Sequence, residues 1–205
     1  MSGWITGHLV EIFGAVTGIL FVFLEIRQNI WLWPVGIITS AVYVFVFFGS
    51  KFYADMGLQV YYLGVSIYGW YWWLRGGKDN DSGSLPVTRV KPRLALLLGS
   101  LLVVLFVAIW LILSELTDSP VPGWDSFTTS VSIIATWMLA RKYIEHWFLW
   151  MVANIVSVGL YIFKGLYPTV ILFSVYTAMS FVGYFSWRKE FFARSGSQPV
   201  NTLAE

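Results

Sequence analysis

The chain has 205 residues, of which 58% are hydrophobic and 12% are charged, and its mean hydropathy is +0.70. This composition excludes an ordinary soluble domain and indicates an integral membrane protein. The absence of cysteine excludes disulfides, thiolate catalysis and cysteine-ligated metals, and the net charge of +2 indicates membrane topology more than a nucleic-acid partner.

Seven apolar segments are predicted as membrane-spanning helices, because about 20 residues of helix cross the hydrocarbon core. In chain order they cover 4–26, 31–48, 53–74, 94–114, 126–140, 147–163 and 168–187. The first follows no basic leader and lacks a small-residue cleavage site, so it is predicted as a retained helix rather than a signal peptide. The stretch 75–93 is rich in Gly, Ser and charge and is predicted as a solvated linker.

The chain nearly repeats itself at a distance of about 114 residues. The matched residues are Tyr53, Tyr62, Ser66, Gly69 and Trp73 in the third span and Tyr167, Tyr176, Ser180, Gly183 and Trp187 in the seventh. With a three-residue shift, the match is expected to continue at Trp33 and Ser40, opposite Trp150 and Ser157. Repeated halves are typical of transporters that bind their substrate between the halves.

The predicted fold is an all-α integral membrane protein with seven transmembrane helices arranged 3+1+3. The predicted units are a triple-helix repeat at 1–76, a linker and central helix at 77–115, a second triple-helix repeat at 116–188, and a tail at 189–205. Because a single helix joins two three-helix units, the repeats are predicted to be parallel.

Positive charge predicts the orientation of the chain in the membrane. If the linker is cytoplasmic, every Lys and Arg except Lys51 and Lys164 lies on the inside. The bias predicts an external N-terminus and a cytoplasmic C-terminus.

Two helix faces are candidates for a substrate site. By helical spacing, the third span places Gln59, Tyr62, Ser66, Gly69 or Trp70, and Trp73 on one face, and the sixth does the same with Trp147, Trp150, Asn154, Ser157 and Tyr161. Gln59 and Asn154 lie within spans, where an amide needs a partner or a water-filled cavity, so they contact either substrate or neighbouring helices. Gln59 is opposite Phe173 in the repeat, and Asn154 is opposite Gly36 or Ile37, which predicts asymmetric contacts.

The aromatic residues have two alternative roles, as interface anchors or as cavity lining. Trp4, Trp31, Trp72, Trp73, Trp124 and Trp187 lie near span ends and are predicted as anchors, whereas Trp70 and Trp150 are predicted to line a cavity. The predicted substrate-binding residues are Gln59, Tyr62, Ser66, Trp70, Trp150, Asn154, Tyr161, Tyr176, Trp33 and Trp147. Such a pocket suits a planar ligand and favours a delocalised cation.

The titratable residues argue against several other functions. Glu11 is the only carboxylate predicted well inside the membrane. Glu11 and Glu25 either add negative potential or pair with Arg27, and structural pairing is favoured for Glu25. Without a chain of acids and bases, uncoupled downhill transport is favoured. His146 is predicted as an interfacial residue, and an intramembrane enzyme or a retinal protein is disfavoured. A channel or a structural membrane protein is the remaining alternative.

Two runs resemble the PnuC family of bacterial vitamin transporters over nearly the whole chain. They are the run 68–73, preceded by Gln59, and the run 124–126, followed by 141–145 and by Trp147, Trp150 and Asn154. The resemblance implies a fold like that of full-length SWEET transporters and a homotrimer surrounded by membrane lipid in the bacterial inner membrane. No cofactor and no metal is predicted.

The same resemblance implies facilitated diffusion of a vitamin that phosphorylation traps inside the cell. Family members carry nicotinamide riboside, and close relatives carry thiamine; both are aromatic cations with hydroxyl groups. This chain has Gly36 near the position where nicotinamide riboside carriers have an amide. Thiamine is therefore slightly favoured, with nicotinamide riboside as the alternative.

Overall fold

The computed structural model describes residues 2–49, 51, 53–76, 85–117 and 120–196. Within these ranges the chain forms seven helices. They are α1 (Ser2–Ile26), α2 (Leu32–Gly49), α3 (Tyr53–Arg75), α4 (Pro92–Leu116), α5 (Pro122–Ala140), α6 (His146–Phe163) and α7 (Tyr167–Gly196). The predicted all-helical fold is confirmed, and much of the predicted linker, 77–84, lies outside the described residues.

The end of α7 differs from the prediction, because the helix continues past residue 187 to Gly196. Charged residues after Trp187 end the apolar segment, but they are good helix formers and do not end the helix. Helix α7 therefore extends beyond the predicted end of its span.

Among the described residues, four helices are long and apolar enough to cross a membrane by length and composition. They are α2, α4, α6 and the 167–193 part of α7. Helices α1, α3 and α5 stay predicted spans, and each contributes polar residues to the cavity described below.

Six of the helices form a closed ring. Helix α2 packs between α1 and α3, α6 packs between α5 and α7, and the ring closes through contacts of α3 with α5 and of α1 with α7. Among the described elements, α4 packs only on α5 and lies outside the ring. The two closing contacts join the first half of the chain to the second.

A Trp–Gly–Trp trio occurs twice in this ring, and its members are 114 residues apart. The first trio is Trp33, Gly69 and Trp73, and the second is Trp147, Gly183 and Trp187. The two indoles of each trio meet edge to face, with centroids 5.4 and 5.8 Å apart. A Cβ on either glycine would overlap the Trp ring of the preceding helix, so both positions require glycine.

These trios correct the predicted register of the repeat. Trp33 is equivalent to Trp147 and not to Trp150, so Ser40 is equivalent to Asn154 and the three-residue shift is wrong. The loops agree, because Gln28 and Lys142 both have positive φ, at 51° and 53°, and are also 114 residues apart. Trp33 aligns with Trp150 by chance, because the chain is rich in Trp. Shared packing, and not residue type alone, identifies the equivalent residues.

Two tryptophans predicted as interface anchors are instead buried in the ring. Trp73 is 6% exposed and donates from Nε1 to the carbonyl oxygen of Ala140 at 3.2 Å, and Trp187 is fully buried and donates to the carbonyl oxygen of Glu25 at 3.0 Å. Each bond ties the last helix of one half to the end of the first helix of the other. The trios therefore hold the two halves together.

Candidate functional site

The helix ring surrounds a cavity of about 750 Å³. All six ring helices contribute to its lining, and α4 does not. The lining combines aromatic rings with hydroxyl, amide and carboxylate groups, and this mixture is typical of a small-molecule site.

Most of the residues that the sequence predicts as substrate-binding lie together on this cavity. Those on the lining are Gln59, Tyr62, Ser66, Trp147, Trp150, Asn154 and Tyr176. They come from α3, α6 and α7, and helical spacing brings them to the inner side of the ring. Their contact with substrate stays a prediction.

Three predicted residues do not line the cavity. Trp70 is 39% exposed, because Gly69 packs on Trp33 of α2 and Trp70 follows Gly69 about 100° around the helix. Trp33 is fully buried in the first trio. Tyr161 packs on Phe173, a lining residue, with ring centroids 5.0 Å apart.

The two amides on the cavity differ in their hydrogen bonds. Asn154 is 6% exposed and donates from Nδ2 to Ser180 Oγ at 3.3 Å, and Ser180 in turn donates to the carbonyl oxygen of Tyr176. The Gln59 side chain makes no hydrogen bond to any other described residue. Asn154 therefore has a structural contact, whereas Gln59 depends on a ligand or water.

Three buried donors on the cavity have no partner among the residues that the structure describes. They are Trp147 Nε1, Trp150 Nε1 and Thr39 Oγ1; a fourth such atom, Trp33 Nε1, lies off the lining. An unpaired buried donor costs roughly 1–3 kcal/mol, so these atoms favour a ligand or water that accepts hydrogen bonds. Thr39 is a candidate that sequence reasoning missed.

The charges on the cavity are negative. Glu11 and Glu25 line it, and none of the described lining residues is Lys or Arg. Glu11 is exposed, whereas Glu25 is only 2% exposed. A lining of this kind favours a cation over an anion.

The partner of Glu25 differs from the expected one. Its Oε1 lies 2.9 Å from Nε2 of His146, while Arg27 stacks over Phe23 instead. His146 is fully buried and is therefore not an interfacial residue. Since Glu25 and His146 are 121 residues apart, no local pattern indicated this pair.

Helix α1 contributes a lining face that sequence reasoning missed. Gly14 and Gly18 lie one turn apart, and a Cβ on either would overlap the hydroxyl of Tyr43 or of Tyr176, respectively. Small residues at this spacing are a known signal for close approach in membrane helices. That signal was present in the sequence and pointed to this face.

Comparison with known proteins identifies the family. A family model described as "Nicotinamide mononucleotide transporter" matches residues 8–189. The chain belongs to this family. It is a membrane transporter of the PnuC type and not an enzyme, which confirms the resemblance predicted from the sequence.

The similarity extends over most of the chain. It is 27% identical over 201 residues to the nicotinamide riboside transporter PnuC of Escherichia coli (strain K12), covering 87% of this chain and 84% of that protein. It is 26% identical over 201 residues to the riboflavin/roseoflavin transporter RibM of Streptomyces davaonensis, covering 94% and 91%. The crystal structure of the vitamin B3 transporter PnuC matches with a TM-score of 0.70 at 26% identity, covering 90% of this chain and 83% of that one.

Proposed function

We propose that this protein carries a vitamin, a small aromatic cation, across the bacterial inner membrane by facilitated diffusion. The proposed cargo is thiamine, with nicotinamide riboside as the alternative. The observation that carries this proposal is the cavity lining, which has aromatic rings, two amides and two carboxylates, and no Lys or Arg among its described residues. Aromatic faces attract a delocalised cation, and the polar groups orient it.

The charge of the lining argues against two other cargoes. A mononucleotide has a phosphate, and phosphate sites commonly use Arg or Lys side chains. Neither residue type occurs among the described residues of this lining. Riboflavin, named for one relative, is uncharged and gains nothing from the carboxylates. A cationic cargo accounts for both the carboxylates on the lining and the lack of Lys and Arg among its described residues.

The α2 side of the cavity supports thiamine over nicotinamide riboside. A Cβ on Gly36 would lie 2.8 Å from Ser66 Oγ and 3.1 Å from the Phe21 ring, so this wall has no room for a larger residue without rearrangement. This chain therefore lacks, near Gly36, the amide that nicotinamide riboside carriers have there. Relatives named as nicotinamide riboside transporters support nicotinamide riboside as the alternative cargo.

The proposed architecture is two parallel triple-helix repeats joined by α4, as in SWEET transporters, with seven spans. The two Trp–Gly–Trp trios and the closed ring support the repeat. The charge bias supports an external N-terminus and a cytoplasmic C-terminus. The family resemblance supports a homotrimer, and α4 has an exposed apolar side, including Leu96 and Val104, for lipid or a second copy.

Downhill transport is proposed because the described lining lacks a chain of proton-binding groups through the membrane. Intracellular phosphorylation would then trap the cargo by making it an anion that this cavity does not favour. In liposomes containing the purified protein, thiamine uptake is expected to saturate with concentration and to stop when the inside and outside concentrations are equal. An imposed pH difference is expected not to change the final level.

Liposomes without protein provide the baseline for radiolabelled uptake. Accumulation above the external concentration, driven by a proton gradient, would contradict the uniporter proposal. Flux that rises linearly without saturation would favour the channel alternative.

A further inference from the structure

We infer that Glu25 recognises the positive charge of the cargo and that His146 positions its carboxylate. This inference rests on the proposed function, because it requires a cationic cargo. It adds a residue pair that lies on α1 and α6, in different halves of the chain.

Glu25 occupies the position that a charge-recognising group needs. It lines the same cavity as Trp147, and its side chain is only 3% exposed. One carboxylate oxygen, Oε1, is bonded to His146, and the structure gives Oε2 no partner among the residues it describes. The lining that would receive a cation therefore includes both a carboxylate and indole rings, the two kinds of group that attract a delocalised cation.

His146 lies behind Glu25, since it is fully buried and does not line the cavity. Its Nδ1 lies 2.6 Å from the carbonyl oxygen of Tyr143, which only accepts, so Nδ1 donates a proton there. Its other ring nitrogen, Nε2, lies 2.9 Å from Oε1 of Glu25 and holds that oxygen in place. The hydrogen bond gives the buried Glu25 side chain a fixed orientation on the cavity lining.

Three contacts hold this pair in place. The His146 ring packs on Trp147 and Trp187, with centroids 4.7 and 4.8 Å away, and Trp187 Nε1 donates to the backbone carbonyl of Glu25. The charge site is thus attached to the second Trp–Gly–Trp trio. Both repeats are needed to build it.

The test compares a charged ligand with an uncharged one of the same shape. Thiamine and its 3-deaza analogue suit this purpose, because a carbon replaces the charged ring nitrogen in the analogue. In purified Glu25→Gln, we expect the affinity for thiamine to fall roughly ten- to hundredfold, as for loss of a charge-assisted contact. The affinity for the neutral analogue is expected to stay within about twofold, because the amide keeps the shape of the carboxylate.

Further variants separate charge recognition from folding. Glu25→Asp keeps the charge and is expected to keep the preference for thiamine, whereas His146→Gln is expected to reduce that preference. Glu145→Gln is the matched control, since Glu145 is bonded to the backbone N–H of Val90 and does not line the cavity. It is expected to bind both ligands like the wild-type protein.

The outcomes distinguish the two proposals. If the wild-type protein prefers thiamine and Glu25→Gln keeps that preference, or loses both ligands equally, the role of Glu25 is overturned while the proposed function stands. If the wild-type protein binds the two ligands equally, the cationic cargo and the role of Glu25 both fail.

Discussion

Replacing Gly69 or Gly183 by alanine is expected to lower the free energy of unfolding by about 1–3 kcal/mol each. The added Cβ would overlap the ring of Trp33 or of Trp147, which are both almost fully buried and have no room to move. The two changes should have similar effects, because they affect equivalent trios. Thermal unfolding of the purified variants in detergent measures the loss.

Gly64→Ala and Gly159→Ala are the matched controls for this prediction. Gly64 lies on α3 with Gly69, and Gly159 lies on α6, which contains Trp147; a Cβ at either meets nothing within 4 Å. Alanine is the better helix former, so these variants should be as stable as the wild-type protein or slightly more so. Equal destabilisation at all four positions would contradict the role of the trios.

Asn154→Leu is expected to weaken thiamine binding by about tenfold or more. The change removes the amide and the bond to Ser180 and places an apolar group on the cavity wall. Gln59→Leu is expected to act in the same way without breaking any bond among the described residues. Ligand titration by tryptophan fluorescence measures the affinity, and thermal unfolding shows whether the variant is folded.

Ser157→Ala is the control on the same helix. Ser157 is buried, at 7% exposed, but does not line the cavity, so its removal should leave the affinity unchanged. A folded Asn154→Leu protein that binds thiamine like the wild-type protein would remove Asn154 from the site.

The helices were predictable because apolar length is a strong signal in membrane proteins. The C-terminal end of α7 was not predictable, because the sequence marks the end of the apolar segment and not the end of the helix. The repeat was also visible, but its register in α2 was misjudged by matching Trp33 to Trp150. The packing of Trp33 on Gly69, which Trp147 repeats on Gly183, identifies Trp147 as the equivalent of Trp33.

The candidate site was predictable where one helix presents a polar and aromatic face. Helical spacing brought Gln59, Tyr62 and Asn154 to the cavity wall. It left Gly69 and Trp70 as alternatives, and in the structure neither lines the cavity, because Gly69 packs on Trp33. The pair of Glu25 and His146 was not predictable, because its members lie far apart in the chain and nearby Arg27 offered a simpler partner. Pairing across the ring depends on the tertiary fold.

Titration of the purified wild-type protein with thiamine and with nicotinamide riboside tests whether the cavity binds an aromatic cation. Trp147 and Trp150 line the cavity, so a bound aromatic cation should quench tryptophan fluorescence. Saturable quenching by both vitamins is expected, with half-saturation at a lower concentration of thiamine. Saturable quenching by riboflavin or nicotinamide mononucleotide, with no response to either cation, would contradict the proposed cationic cargo.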